Sequence, residues 1–272
     1  MGSSIRRTDL LALSNLRDDG RRPHEIRRLR VQLGPLVTGG SSNGGGSALV
    51  EMGLTVAMAT VTGPLPCVKR SEEVPDRALL DVSVQQAPFA PSGDRRVTSN
   101  NDRRLMELGL LVKRALEATI LLELYPKSRI QVSVIILADD GGRLCTAINA
   151  ASMACVDAGI PMKDLLCACS AGYAGEGTTL VDLNRREESS YGGQAAVNLP
   201  CAMLPQRGTI VLSQCEARLP DIQSLERVLN AAMEGCRAVF EILQAAIRER
   251  AFTLLGVRAG EGTVTSTIIS SG

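Results

Sequence analysis

Three short segments of this chain place charge and free backbone where an anion or a proton could be handled. The first is Asp102-Arg103-Arg104. Asp102, or Asn101 before it, has the type and position of a helix N-cap, which puts both arginines in the first helical turn, where the helix dipole disfavours cations. An anion held between guanidinium forks and free N–H groups would account for the pair. Two solvated surface arginines account for it more plainly, and spacing alone favours that reading. The second segment is Asp140-Gly141-Gly142, between a strand pattern and a helix pattern. Glycines let successive N–H groups converge on a small anion at a helix start, and they equally make a tight strand-to-helix turn. The segment is neither a P-loop nor a G-x-G-x-x-G fingerprint. The third is the acidic run Asp182, Glu187 and Glu188 in DLNRREESS, 182–190. Clustered carboxylates can hold Mg²⁺ or act as a general acid, but such a run more often forms a solvated loop, and that is the expectation here.

The whole-chain arithmetic bounds these options. Over 272 residues, Lys plus Arg is 30 and Asp plus Glu is 29, a net charge of +1, which gives no bulk electrostatic case for nucleic acid or a membrane surface. The cations are 26 Arg and only 4 Lys, however, and Arg is the side chain that grips phosphate and carboxylate bidentately. The single histidine, His24, sits in the polar run RRPHE and reads as a surface residue. That leaves no Ser-His-Asp or Cys-His centre unless His24 is its base, and no His-rich metal site. With no Trp, three Tyr and three Phe, a base-stacking platform is not expected. None of the eight cysteines forms C-x-x-C, and most lie among apolar neighbours, so they read as buried free thiols of a reducing compartment. No run approaches the roughly 20 apolar residues that span a bilayer. Arg6 stands where a myristoylation signal needs Ser or Thr, and the polar start is no signal peptide. A soluble intracellular protein is expected.

The elements that must carry these segments follow from periodicity. Residues 26–36, 47–51, 54–60 and 79–85 alternate as strands, with a tight turn near Gly53 and a flexible Gly-rich loop over 39–46. Charged loops are expected over 64–77 and 91–101. Leu105, Leu108, Val112, Ala115 and Thr119 share one helical face in a helix from Asp102 to about Tyr125, ended by Pro126. A buried strand over 129–138 leads through the Gly-Gly turn to a helix over 143–158, with Gly159 and Pro161 closing it. Strands are expected at 165–170, 178–183, 195–203 and 209–215, then a long amphipathic helix from Asp221 to about Arg250 and an aperiodic tail. The plan is α+β. Residues 1–19 read as an extension, 20–250 as the domain, with halves of about 20–160 and 161–250, and 251–272 as the tail.

Taken together, 17-RDDGRRPHEIR-27, 47-SALVEMGLTVAMATVTGP-64, 75-PDRALLDV-82, 102-DRR-104, 140-DGG-142, 149-NAASMACVDAGIPMKDLLCACSAG-172, 181-VDLNRREE-188 and 225-LERVLNAA-232 resemble the RNase PH family, and within it the exosome ring subunits. The resemblance covers about residues 15–250 in the family's order. It implies the RNase PH-like fold (ribosomal protein S5 domain 2-like) of two β-α-β-α units. It also implies a six-membered ring of paralogous RNase PH-like subunits, RNA-binding cap subunits on that ring, single-stranded RNA as ligand, and no membrane. Active relatives cleave RNA from its 3′ end with inorganic phosphate. They place an Arg-Arg pair on the RNA backbone, which maps onto Arg103 and Arg104, and hold phosphate at the Gly-Gly turn with a following Ser or Thr. Two aspartates serve acid catalysis and Mg²⁺.

This chain departs from that pattern at three positions. Arg143 follows Gly141 and Gly142, Glu188 stands for the first aspartate, and Asn198 stands for the second. An amide can neither donate a proton to a leaving group nor bind Mg²⁺ with charge, and a carboxylate displaced by about 1 Å can lose about a hundredfold in rate. The expectation is a catalytically silent subunit with no cofactor. Lys69, Arg70, Arg95, Arg96, Arg103 and Arg104 would line a channel guiding RNA toward a separate hydrolytic nuclease, for 3′-to-5′ processing and degradation that includes ribosomal RNA maturation. The resemblance implies nuclear, nucleolar and cytoplasmic location. The alternative is an active phosphate-dependent 3′-5′ exoribonuclease using Glu188, with Mg²⁺ and phosphate.

Overall fold

The computed structural model describes residues 16–17, 19–36, 45–67, 73–90, 102–174, 178–189, 197–215, 221–258 and 269–270. Apolar alternation builds a six-stranded sheet from β1 (Leu29–Leu33), β2 (Gly45–Met52), β3 (Thr55–Pro66), β4 (Leu79–Gln86), β5 (Ser128–Ala138) and β10 (Ile269–Ser270), in the order β10-β1-β2-β3-β5-β4. Gly53, at φ 62°, turns β2 back onto β3. Only β4 and β5 run parallel. Parallel neighbours need a long crossover, and helix α1 (Arg103–Thr119), packed on β4, lies in it.

Helix α2 (Arg143–Asp157) joins the two halves. Every residue from Cys145 to Cys155 is buried, so the helix is enclosed on all sides. It packs on β2 and β3 of the large sheet and on β6 (Cys167–Ala174) and β8 (Val197–Leu204) of a smaller one. Asn149, fully buried in it, accepts from Ala168 N at 2.8 Å and donates to Ala168 O at 2.9 Å, so an amide satisfies the backbone of β6 as a strand would. The smaller sheet has the order β7-β6-β8-β9, with β7 at Thr178–Val181 and β9 at Thr209–Ser213, all antiparallel. A short helix α3 (Arg185–Ser189) follows β7, and the 37-residue helix α4 (Ile222–Arg258) packs on β6 and β8. Val228, Ala231, Ala232, Cys236, Val239, Leu243 and Ala246 form its buried stripe at helical spacing, within one hydrophobic cluster spanning both halves. Six of the eight cysteines are buried free thiols, as their apolar neighbours predict.

Several boundaries differ from the sequence reading. Helix α1 stops at Thr119, not near Tyr125: Leu121 N donates to Pro161 O and Lys163 N donates to Thr119 O, so a bridge to 161–163 captures the backbone before Pro126 is reached. A single 3₁₀ turn, Leu122–Leu124, follows. Gly45 and Gly46 belong to β2 and not to the Gly-rich loop, whose residues 39–44 lie outside the described residues. Strand β3 runs on to Pro66, into the expected charged loop, because Leu65 and Pro66 pair with Arg129 and Ser128 of β5. Helix α4 continues to Arg258, and Ile269–Ser270 add a short strand beside β1 where an aperiodic tail was expected.

Candidate functional site

Two backbone segments from opposite halves of the chain form the site. The Asp140-Gly141-Gly142 turn ends β5 and opens α2, with Gly141 at φ 90° and Gly142 at φ 69°. Segment 182–188 leaves β7 and becomes α3. They are bonded directly, since Arg185 N donates to Asp140 O at 2.9 Å and Gly142 N donates to the Glu188 Oε1 at 2.8 Å. Glycine is required at both turn positions. A Cβ on Gly141 would stand 2.6 Å from Arg185 N, and one on Gly142 would stand 2.7 Å from an Arg27 Nη2.

Asp182 and Glu187, expected in a solvated loop, are 1% and 4% exposed. Each is taken up by an arginine from the segment before β1. Arg27 donates from its backbone N and Nε to Asp182 Oδ2 at 2.8 and 3.0 Å, and from Nη2 to Oδ1 at 2.7 Å. Arg17 makes a two-pronged pair with Glu187, both contacts at 2.9 Å. The geometry is the bidentate fork that makes Arg the usual buried partner of a carboxylate. Burial would push the Asp182 carboxyl up, but the charge and hydrogen bonds of Arg27 outweigh it and hold the group below the ordinary aspartate range. Asp182 is therefore committed to structure, not free for Mg²⁺ or a substrate proton. Asn184 and Glu187 also cap α3 reciprocally, with Glu187 N donating to Asn184 Oδ1 and Asn184 N to Glu187 Oε2, each at 2.9 Å. The N-x-x-E spacing is legible in the sequence as that cap. Nothing in the sequence marks Arg27 or its neighbour Thr55 as buried parts of the site.

Above these contacts opens a pocket of about 620 Å³, lined by Arg104 and Glu107 of α1, Gly142, Arg143 and Cys145 of α2, Ser170 of β6, and Glu188 and Asn198. The three positions that depart from the family pattern, Arg143, Glu188 and Asn198, thus share one cavity. Asn198 Nδ2 donates to Glu188 Oε1 at 3.1 Å, and Asn198 Oδ1 is buried with no partner among the described residues. The Glu188 oxygen therefore already receives two donors. Burial pushes the Glu188 carboxyl above the ordinary glutamate range, against the Gly142 N–H and the charges of Arg143 and Arg27. Arg143 is held toward Asp139 at 3.6 Å. Where the resemblance assigns two charged oxygen donors for Mg²⁺, this pocket has one carboxylate, already bonded through Oε1, and one amide. Among the described residues no three Asp, Glu, His or Cys side chains come together to hold a metal.

Arg103 and Arg104 are both exposed behind the Asp102 cap, which accepts from Arg104 N at 3.1 Å. Arg104 reaches the pocket, while Arg103 pairs with Glu107 at 2.9 Å on the open surface. Lys69, Arg70, Arg95 and Arg96 lie outside the described residues. His24 is exposed.

The model of the 3′ exoribonuclease family, domain 1 (RNase PH), matches residues 25–161. Human exosome complex component RRP41 is 40% identical over 242 residues, covering 89% of this chain and 94% of that one. The Rrp41 component of Pyrococcus horikoshii is 37% identical over 234 residues, covering 86% and 89%. Among solved structures, rice Rrp46 superposes with a TM-score of 0.70 at 24% identity, over 85% of this chain and all of that one. The Archaeoglobus fulgidus exosome with RNA bound to its active site superposes at 0.67 with 22% identity, over 85% and 93%. The fold is shared with both structures, and the sequence match runs through both halves of the chain and across the turn and the pocket, so the chain belongs to the RNase PH family of 3′ exoribonucleases.

Proposed function

We propose that this chain is a non-catalytic RNase PH-like subunit of an exosome ring, guiding single-stranded RNA by charge without cutting it. Exosome membership is supported by relatives that are named exosome components and align over most of both chains. The observation that carries the silent reading is the Glu188 carboxylate on the Gly142 N–H. The resemblance assigns that turn to inorganic phosphate. Here the chain's own carboxylate takes the donor a phosphate oxygen would need, at a helix N-terminus that favours one anion. Like charge then works against a second anion beside it. Arg143 replaces the hydroxyl that would complete the phosphate site, and Asn198 cannot supply a proton.

Arg103 and Arg104, exposed at the start of α1, would meet a phosphate backbone without reading bases. Paralogous ring neighbours, RNA-binding cap subunits, a separate hydrolytic nuclease, a part in ribosomal RNA maturation and a nuclear, nucleolar and cytoplasmic location belong to the same proposal. One observation favours the alternative, an active phosphorolytic enzyme: burial raises the Glu188 carboxyl, and an acid catalyst must hold its proton. Incubating the reconstituted ring with RNA, Mg²⁺ and phosphate decides between them. No nucleoside diphosphate is expected from this subunit. Diphosphates that vanish in Glu188→Gln would establish the active reading instead.

A further inference from the structure

The segment before β1 carries more of the pocket than its sequence indicates. Besides its fork on Asp182, Arg27 donates from Nη1 to Asp140 O at 3.1 Å and from Nη2 to Gly141 O at 3.2 Å. One buried side chain, 6% exposed, thus bonds both walls of the pocket, which lie 113 to 155 residues further along the chain. Thr55, at the start of β3, completes the cradle: its Oγ1 donates to Gly141 O at 2.7 Å and accepts from Asp140 N at 3.0 Å. The absent Cβ of Gly142 leaves room for the Arg27 guanidinium. Asp182 sits at φ 55°, a conformation a non-glycine residue holds only when its surroundings determine it.

From this geometry we propose that Arg27 is the positioning residue of the pocket: it sets the Gly-Gly turn against segment 182–188 and so aims the Gly142 N–H at Glu188. Arg27 touches nothing in the pocket's open space. It acts through the two backbones it ties, and the tie needs a planar fork with several donors. A lysine at the same place has three donors on one nitrogen and no planar fork, and cannot reproduce the four side-chain contacts Arg27 makes to Asp182, Asp140 O and Gly141 O. The inference rests on the pocket and not on whether the pocket is silent, and its test involves no turnover.

The test is amide hydrogen exchange on the full chain, comparing Gly142 with Val134 in the centre of β5. In Arg27→Lys, Gly142 is expected to exchange about tenfold faster than the change at Val134 accounts for, the size of one lost charge-assisted hydrogen bond. The Gly142 amide resonance should also cease to follow the titration of Glu188. Arg250→Lys, which weakens a distant pair with Asp157, should move Gly142 and Val134 together. If Arg27→Lys does not fold, Asp182→Asn keeps the shape, removes the charge that Arg27 grips, and should give the same excess at Gly142. Exchange at Gly142 that merely tracks Val134 in Arg27→Lys, or in Asp182→Asn where that variant must be used, overturns the proposal.

Discussion

Asp182 and Glu188 are both carboxylates near the same turn, and their surroundings pull them in opposite directions. Glu188 is raised by burial, while Asp182, more deeply buried, is held low because Arg27 gives it a charge and three hydrogen bonds. A carboxyl whose folded pKa lies below its unfolded value of about 3.9 stabilises the fold fully above that value. The contribution is lost as pH falls through the lower, folded value. Asp182→Asn should therefore unfold more easily near neutral pH by about 3–5 kcal/mol, the cost of leaving a buried guanidinium unpaired. Urea unfolding at several pH values checks both parts: the gap between parent and variant should hold steady above about pH 4 and close below it. A gap independent of pH would mean that Asp182 contributes shape and not charge. Glu188 has the reverse sign. Its proton is held more firmly folded than unfolded, so its effect favours the fold as pH falls toward the carboxylate range, and it cancels from this comparison.

At the scale of elements, β2 and α2 of the first half meet by close backbone approach. Gly46 of β2 lies so near the end of α2 that a Cβ would stand 2.2 Å from Ala158 N and 2.4 Å from Ala154 O. These atoms are backbone and cannot swing away. Gly46→Ala should cost about 1–3 kcal/mol of overpacking, visible as a lower melting temperature, whereas Gly159→Ala at the same corner meets no atom within 4 Å and is opposed only by its φ of 72°. Equal losses in the two would contradict the contact. Strand and helix types were legible because alternation is strong over β2 to β5 and the 3.6-residue stripe is strong over α1 and α4. The boundaries were less so, for reasons the periodicity cannot contain. Helix α1 is ended by a bridge to residues 161–163, and Gly45 and Gly46 were masked by a glycine run that reads as a loop although β3 pairs with both. Of the site, the Gly-Gly turn and Glu188 stand out as segments, and Asn198 is marked only by the resemblance. That they meet was implied only by resemblance, because their junction runs through Arg27 and Thr55, which look like ordinary strand residues.

For the molecule as a whole, the net charge of +1 conceals how its arginines are divided. Arg17 and Arg27 are buried and spent on carboxylates, holding the second half of the chain to the first. Arg103 and Arg104 stand on the surface at the start of α1, where Arg103 pairs with Glu107 one turn on and Arg104 lines the pocket. A neutral total suits a subunit that packs among others, and under the proposed function the exposed pair would meet a polyanion. The central claim is that this pair serves RNA by charge alone, and the most direct measurement is the salt dependence of RNA binding by the assembled ring, with and without Arg103→Ala and Arg104→Ala together. Each phosphate contact to a single strand contributes about 0.7 to the slope of log affinity against log salt, so the double variant should bind more weakly at every salt concentration and lose about 1.4 of that slope. An unchanged affinity and slope would contradict the account.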